Sequence, residues 1–231
     1  MMFETVRFRA VRARRSYGAR HGVLLSSLAA FGLAAFCLTS AAAAKPIRLV
    51  AFGDSLTAGY QLPRADGFAA KLEAALRGQG HDVTVIDGGV SGDTTTGGLA
   101  RLDWTLGEGT DAVVLELGAN DMLRGVDPKI PEANLAHMLE ALKAKHIKVL
   151  LAGMRTAPSL GPDYAAAFDP IYQRLAKKYD VPLYPFFLAG IMGDPSQHLP
   201  DGLHPNARGV DTIVTNILPS VDALLTSVGK G

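Results

Sequence analysis

From residue 45 onward, two hydrophobic patterns take turns along the chain. Short apolar runs at about 47–52 (IRLVAF), 83–86 (VTVI), 112–117 (AVVLEL), 147–152 (IKVLLA) and 181–184 (VPLY) are rich in Val, Ile and Leu and bounded by Gly, Asp or Pro. They predict five strands. Between and after them, apolar residues recur at helical spacing: Phe68-Leu72-Leu76, Leu99-Leu102-Leu106, Leu135-Met138-Leu139-Leu142, Phe168-Ile171-Tyr172-Leu175 and Val210-Ile213-Ile217-Leu218. Runs that are apolar on both faces, alternating strictly with amphipathic segments, predict an α/β fold in three layers, with a five-stranded parallel sheet between helices. Repeats, low-complexity tracts and interdomain linkers are absent, so 45–231 is expected to be one domain.

The first 44 residues follow a different rule. Six arginines (Arg7, Arg9, Arg12, Arg14, Arg15, Arg20) precede an apolar run from about Val23 to Cys37, and small residues from Ala41 to Ala44 close it. This is the layout of a secretory signal peptide, cleaved near Ala43 or Ala44. The rival reading is an uncleaved anchor, but roughly 15 apolar residues are short for a membrane span. The pair Arg14-Arg15 hints at twin-arginine export, and Phe36 argues against lipidation of Cys37. The expected mature protein is therefore periplasmic or secreted, with no stable membrane anchor.

Removing that segment changes the charge. Taking six arginines from 23 basic residues and Glu4 from 22 acidic ones leaves 17 against 21, a net charge of about −4 in place of +1. No basic patch is left to recognise nucleic acid. Cys37 is the single cysteine, so the mature chain has no disulfide, no thiolate metal site and no cysteine nucleophile.

In an open parallel sheet, ligands sit outside the carboxyl ends of the strands. The segments there are polar and rich in glycine: Gly53-Asp54-Ser55 after the first strand, Asp87 to Thr94 after the second, Gly118-Ala119-Asn120-Asp121 after the third, and Asp201 to Asn206 before the last helix. Each has a bland reading. Ser55 could cap a helix, Asn120 could be a turn residue and Asp121 a cap, the glycines could permit tight turns, and His204 could be a surface histidine. Their joint occurrence fits nucleophilic catalysis better. A serine hydroxyl needs an imidazole to take its proton, and the imidazole needs an acceptor on its other nitrogen. Asp201 and His204, three apart, would be neighbours on one helical turn. Backbone N–H groups of Ser55 and Gly92 and the amide of Asn120 could serve as three oxyanion donors.

The blocks GDSLTAGY (53–60), GVSGDTTTGGLARL (89–102), LGAND (117–121) and DGLHPN (201–206) occur in an order that resembles the GDSL or SGNH hydrolase family, and within it the bacterial branch of lysophospholipases, thioesterases and arylesterases. The resemblance spans nearly the whole mature chain. It implies Ser55 as nucleophile, Asp201 and His204 as the rest of a triad, Ser55, Gly92 and Asn120 as the oxyanion hole, a flavodoxin-like sheet, and neither metal nor cofactor. The first block is not the G-x-S-x-G elbow of the α/β-hydrolases, because Thr57 stands at the second glycine. Two positions depart from the branch: Asp87 where asparagine is common, and Ala119 where a second glycine is common.

A small-molecule acyl ester, of short to medium chain and including thioesters or lysophospholipids, is the expected partner. Candidate acyl-pocket residues are Met122 and Leu123 after the third block, Met154, and Pro158 in the loop 156–162; Phe186 could line the pocket or sit in the core. Two alternatives stay open. The same triad could run a deacetylase of envelope carbohydrate, or the fold could serve a non-catalytic or phosphate-binding flavodoxin-like module.

Overall fold

The computed structural model describes residues 45–228. The expected signal peptide, residues 1–44, lies outside the described residues. Five parallel strands, β1 (Ile47–Gly53), β2 (Val83–Gly89), β3 (Ala112–Glu116), β4 (Lys148–Ala152) and β5 (Leu183–Tyr184), form one sheet in the order β2-β1-β3-β4-β5. The central strand β3 is buried at every position, whereas β2, at the edge, alternates buried and partly exposed residues along its first half. A strand covered on both faces must be apolar throughout, which is why AVVLE reads as a continuous run.

Among the described residues, eight α-helices connect and flank the strands: α1 (Ser55–Ala58), α2 (Phe68–Gly78), α3 (Thr95–Leu106), α4 (Ala119–Leu123), α5 (Lys129–Ala144), α6 (Gly161–Phe168), α7 (Ile171–Tyr179) and α8 (Ala207–Ser227). α2 packs against α8, and α3 packs against α5, which in turn meets α7. These two groups sandwich the sheet, as the alternating pattern predicts. Leu72, Leu76, Leu135, Met138, Leu142, Ile213 and Ile217, all members of the helical stripes, are buried in the core.

The boundaries differ from the sequence reading where proline intervenes. The stripe Phe168-Ile171-Tyr172-Leu175 is buried as expected but is split, because Pro170 has no N–H to continue a helix: α6 ends at Phe168 and α7 restarts at Ile171 with Pro170 as its N-cap. β5 shrinks to two residues for the same reason, since Pro182 cannot donate to a ladder. α8 runs on past Leu218 to Ser227, burying Val221, Leu224 and Leu225 as well.

The strand order places a topological switch point at β1 and β3, because the chain leaves β1 for β2 on one side and returns to β3 on the other. Phe52 lies beside Leu115 in the β1–β3 register. The residues following the two strands, 54–55 and 117–120, therefore emerge together.

Candidate active site

Ser55 is not a helix cap. The N-cap of α1 is Asp54, whose Oδ1 accepts the Leu56 N–H at 3.0 Å, and Ser55 is the first helical residue. A residue there has no intrahelical acceptor for its own N–H. The short helix is held against β3 at Gly53, where an added Cβ would lie 2.4 Å from Glu116 Oε2 and still closer to Thr57 Oγ1, so no side chain fits.

His204 faces Ser55 from the far end of the chain. Its Nε2 is 2.9 Å from Ser55 Oγ, and its Nδ1 is 2.7 Å from Asp201 Oδ2. Asp201 and His204 do not share a helical turn, contrary to the expectation from their spacing; they lie in a tight loop before α8. There Asp201 Oδ1 accepts the N–H groups of Leu203 (2.9 Å) and His204 (3.0 Å), and the Leu199 N–H donates to the His204 carbonyl at 2.8 Å. Asn206 fastens the loop to the helix by capping α8 through Arg208 and Gly209, while its amide donates to the carbonyls of Ser196 and His198. The backbone donors, His204 first and Leu203 next, hold the Asp201 carboxyl down at about 2. At neutral pH it is a carboxylate that can only accept, so the imidazole proton sits on Nδ1 and the Nε2 lone pair faces Ser55.

The three expected oxyanion donors come from three loops. Asn120 is half-buried at the start of α4, and its Nδ2 donates to Asp54 Oδ2 at 3.0 Å. Gly92 adopts φ +81°, a left-handed conformation that glycine takes without strain, and its carbonyl accepts from Arg124 Nη2 at 2.8 Å. Asp121 is no cap either: buried, it accepts the Thr95 N–H (2.8 Å) and Oγ1–H (2.7 Å) and ties α4 to the start of α3. Of the acyl-pocket candidates, Leu123 and Pro158 are exposed while Met122 and Met154 are buried in the core, where Met122 Sδ accepts the Ala157 N–H. Phe186 is half-buried beneath the Arg155 guanidinium. The Asp87 carboxylate turns to the Gly89 N–H, 2.9 Å away, at the end of its own strand.

Four contributors escaped the sequence reading. Arg101 donates to the carbonyls of Gly53 and Gly88 (2.8 Å each) and pairs with Asp93 at 2.7 Å, clamping the ends of β1 and β2. Arg124 fixes Gly92. The Tyr60 ring lies 4.3 Å from the imidazole of His204. Glu116, hidden inside an apolar run, is fully buried and accepts from Thr57 Oγ1 (2.8 Å) and the Asp54 N–H (3.3 Å). Burial, and then the charge of Asp54, push the Glu116 carboxyl well up; burial also lifts Asp54 to about 6. A lone acid in an otherwise apolar strand was the available signal for Glu116, since such a group needs a reason to be there.

A hydroxyl in hydrogen-bond contact with an imidazole, whose far nitrogen is held by a carboxylate, can lose its proton as it attacks an electrophilic carbon. Among the described residues no cluster of three or more His, Cys, Asp or Glu could hold a metal ion.

Comparison with known proteins adds an independent line. A family model described as GDSL-like lipase/acylhydrolase matches residues 51–211. The chain is 44% identical over 171 residues to an arylesterase of Vibrio mimicus, covering 74% of this chain and 85% of that one. It is 39% identical over 170 residues to thioesterase 1/protease 1/lysophospholipase L1 of Escherichia coli, covering 73% and 80%. The crystal structure of TesA superposes with a TM-score of 0.73 at 38% identity, covering 77% of this chain and 99% of that one.

Proposed function

The chain belongs to the GDSL-like lipase/acylhydrolase family, and from that premise we propose that it hydrolyses acyl esters through an acyl-enzyme formed on Ser55. It is a carboxylic ester hydrolase of the serine type, and its substrates are small-molecule esters. The observation that carries the assignment of roles is the unbroken relay from Ser55 Oγ to His204 Nε2 (2.9 Å) and from His204 Nδ1 to Asp201 (2.7 Å).

Ser55 Oγ attacks the acyl carbon while Nε2 of His204 takes the hydroxyl proton. The imidazolium that forms is stabilised by the Asp201 carboxylate. The carbonyl oxygen becomes an oxyanion and is met by the N–H groups of Ser55 and Gly92 and by the second N–H of the Asn120 amide, the first being engaged by Asp54. As the intermediate collapses, His204 passes its proton to the departing alkoxide or thiolate, and the acyl group stays on Ser55. Water then enters, gives its proton to Nε2 and releases the carboxylic acid by the same steps in reverse.

Short- and medium-chain oxygen esters are the proposed substrates, with thioesters and lysophospholipids as an extension suggested by the names of the relatives. Leu123 and Pro158 provide the exposed apolar surface for the acyl chain, over a floor that includes Met122 and Met154. No helix among the described residues is long and apolar enough to cross a membrane. We place the working enzyme in the periplasm or outside the cell, after removal of residues 1–44.

A fluorophosphonate ester tests the nucleophile directly. It should add one equivalent at Ser55, and Ser55→Ala should abolish both labelling and p-nitrophenyl butyrate hydrolysis while leaving the melting temperature within a few degrees. Adduct formation at Ser91 or Ser159 would overturn the assignment.

A further inference from the structure

Beneath the proposed oxyanion hole lies a pair of buried carboxyls for which the mechanism has no use. Asp54 is fully buried and neighbours the nucleophile in sequence, yet its carboxylate touches neither Ser55 Oγ nor His204. Its two oxygens are divided: Oδ1 accepts the Leu56 N–H, capping the helix that carries Ser55, and Oδ2 accepts one N–H of the Asn120 amide at 3.0 Å. Under it, Glu116 receives the Asp54 N–H and the Thr57 hydroxyl on Oε2, while Oε1 is buried without a partner.

We infer that Asp54 is the positioning residue of the oxyanion hole, fixing which face of the Asn120 amide is presented to the substrate, with Glu116 as the prop beneath it. This rests on the role given above to Asn120.

An asparagine amide is nearly symmetric in shape but opposite in polarity at its two ends. On the exposed side of Asn120 nothing in the protein selects between them. A carboxylate behind it does, because an ionised Asp54 can only accept and therefore forces the NH2 end inward to bridge Asp54 and the developing oxyanion. Turned over, the same amide would aim its own oxygen at the oxyanion and repel it. The charge-assisted bond also holds the side chain before the substrate arrives, which is what makes a donor effective when charge develops.

The division of charge between the two acids follows from their surroundings. Both are fully buried and each receives two donors, but Glu116 takes both on Oε2 and leaves Oε1 without one, so it holds its proton more tightly; Asp54 has a donor on each oxygen, Leu56 and Asn120, and ionises more easily. The other titratable groups facing Asp54 are His204 from the loop before α8, Asp93 from the loop after β2 and Tyr172 from α7. Arg101 from α3 reaches the adjacent Gly53 carbonyl.

Asp54→Asn separates this role from capping. Asparagine is as good an N-cap as aspartate, so Leu56 keeps its acceptor and α1 its place. Its second oxygen is replaced by an NH2, which cannot accept from Asn120. The expected result is a fall in kcat of about 10- to 100-fold, below the 10²–10³ typical of losing an oxyanion donor outright, with KM within threefold. Asp54→Ser, which also caps but is too short to reach Asn120, should behave alike and replaces the first variant if that one does not fold.

The double-mutant cycle with Asn120→Ala decides the matter. If Asp54 acts through Asn120, adding Asp54→Asn to Asn120→Ala should change kcat by less than threefold. A further loss of tenfold or more, or an Asp54→Asn enzyme with normal kcat, overturns the inference while leaving Asn120 as a donor. Asn120→Ala with kcat within threefold of the parent is a different failure: it removes Asn120 from the mechanism, and the inference with it.

Discussion

Replacing Asp201 by asparagine changes one atom and should stop most of the reaction without unfolding anything. Asp201 Oδ1 accepts from the Leu203 and His204 N–H groups, and Oδ2 accepts from His204 Nδ1 at 2.7 Å. Asparagine can keep both backbone bonds with its own oxygen, so the loop is held. Its amide nitrogen then faces Nδ1, and two donors cannot share one hydrogen bond. The imidazole escapes the clash by moving its proton to Nε2, where it points at Ser55 Oγ, 2.9 Å away, and can no longer accept. Returning to the reactive tautomer breaks the new bond from the asparagine amide, and the charge-assisted bond of about 1.5–3 kcal/mol that held this tautomer in the parent is gone. The imidazolium also loses a carboxylate whose attraction is roughly 4 kcal/mol at ~4 Å separation and an effective dielectric of about 20. The Asp201 side chain is 36% exposed, so solvent screens part of this. What is left corresponds to a fall in kcat of about 10³–10⁴, in line with the ~10⁴ known for the equivalent change in serine hydrolases. Steady-state hydrolysis of p-nitrophenyl butyrate between pH 6 and 9, with melting temperature on the same preparation, measures it. Asp201→Ala should be slow and less stable as well, because it drops both loop bonds. A folded Asp201→Asn enzyme with kcat within tenfold of the parent would refute the tautomer argument.

Glu116→Gln tests the buried pair through pH. Folding raises the pKa of both Glu116 and Asp54, so the native state binds more protons than the unfolded chain above about pH 4, and their contribution to stability declines as pH rises; for Asp54 the decline runs to about 6. Glu116→Gln removes one of these titrations, so its melting temperature relative to the parent should improve steadily between pH 4 and 8, and a difference independent of pH would count against a neutral native Glu116. Arg101→Ala takes the guanidinium donor from the Gly88 carbonyl and the half-buried Asp93 and leaves the Gly53 carbonyl with the Val90 N–H alone, and chemical denaturation should show a loss of about 3–5 kcal/mol. Intact-mass measurement of exported protein should find a chain beginning near Ala44 or Lys45; retention of Arg20 would reject cleavage there.

The architecture was legible along the chain because its physics is local. A strand buried on both faces has to be apolar throughout, and a helix against a sheet has to show a stripe, so AVVLEL and Leu135-Met138-Leu139-Leu142 announced β3 and α5 before any contact was known. Candidate chemistry was legible for a related reason: polar residues clustered after the strands, at the one edge where a parallel sheet opens. Where the reading slipped, a tertiary demand had overruled a local rule. Asp201 and His204 have helical spacing but sit in a loop whose geometry is set by backbone donors to Asp201 and by the Asn206 cap. Ser55 could have been the cap of α1, and only the orientation of Asp54 against Leu56 shows which residue takes that task. Met122 and Met154 follow strands as pocket residues should, but packing buries both, which leaves them only a floor's part in the proposed acyl surface beneath Leu123 and Pro158. Glu116, Arg101 and Tyr60 had no periodicity to betray them. Their partners lie 62, 48 and 144 positions away in Asp54, Gly53 and His204, and an interaction between residues so far apart in sequence exists only once the strand order has brought them together.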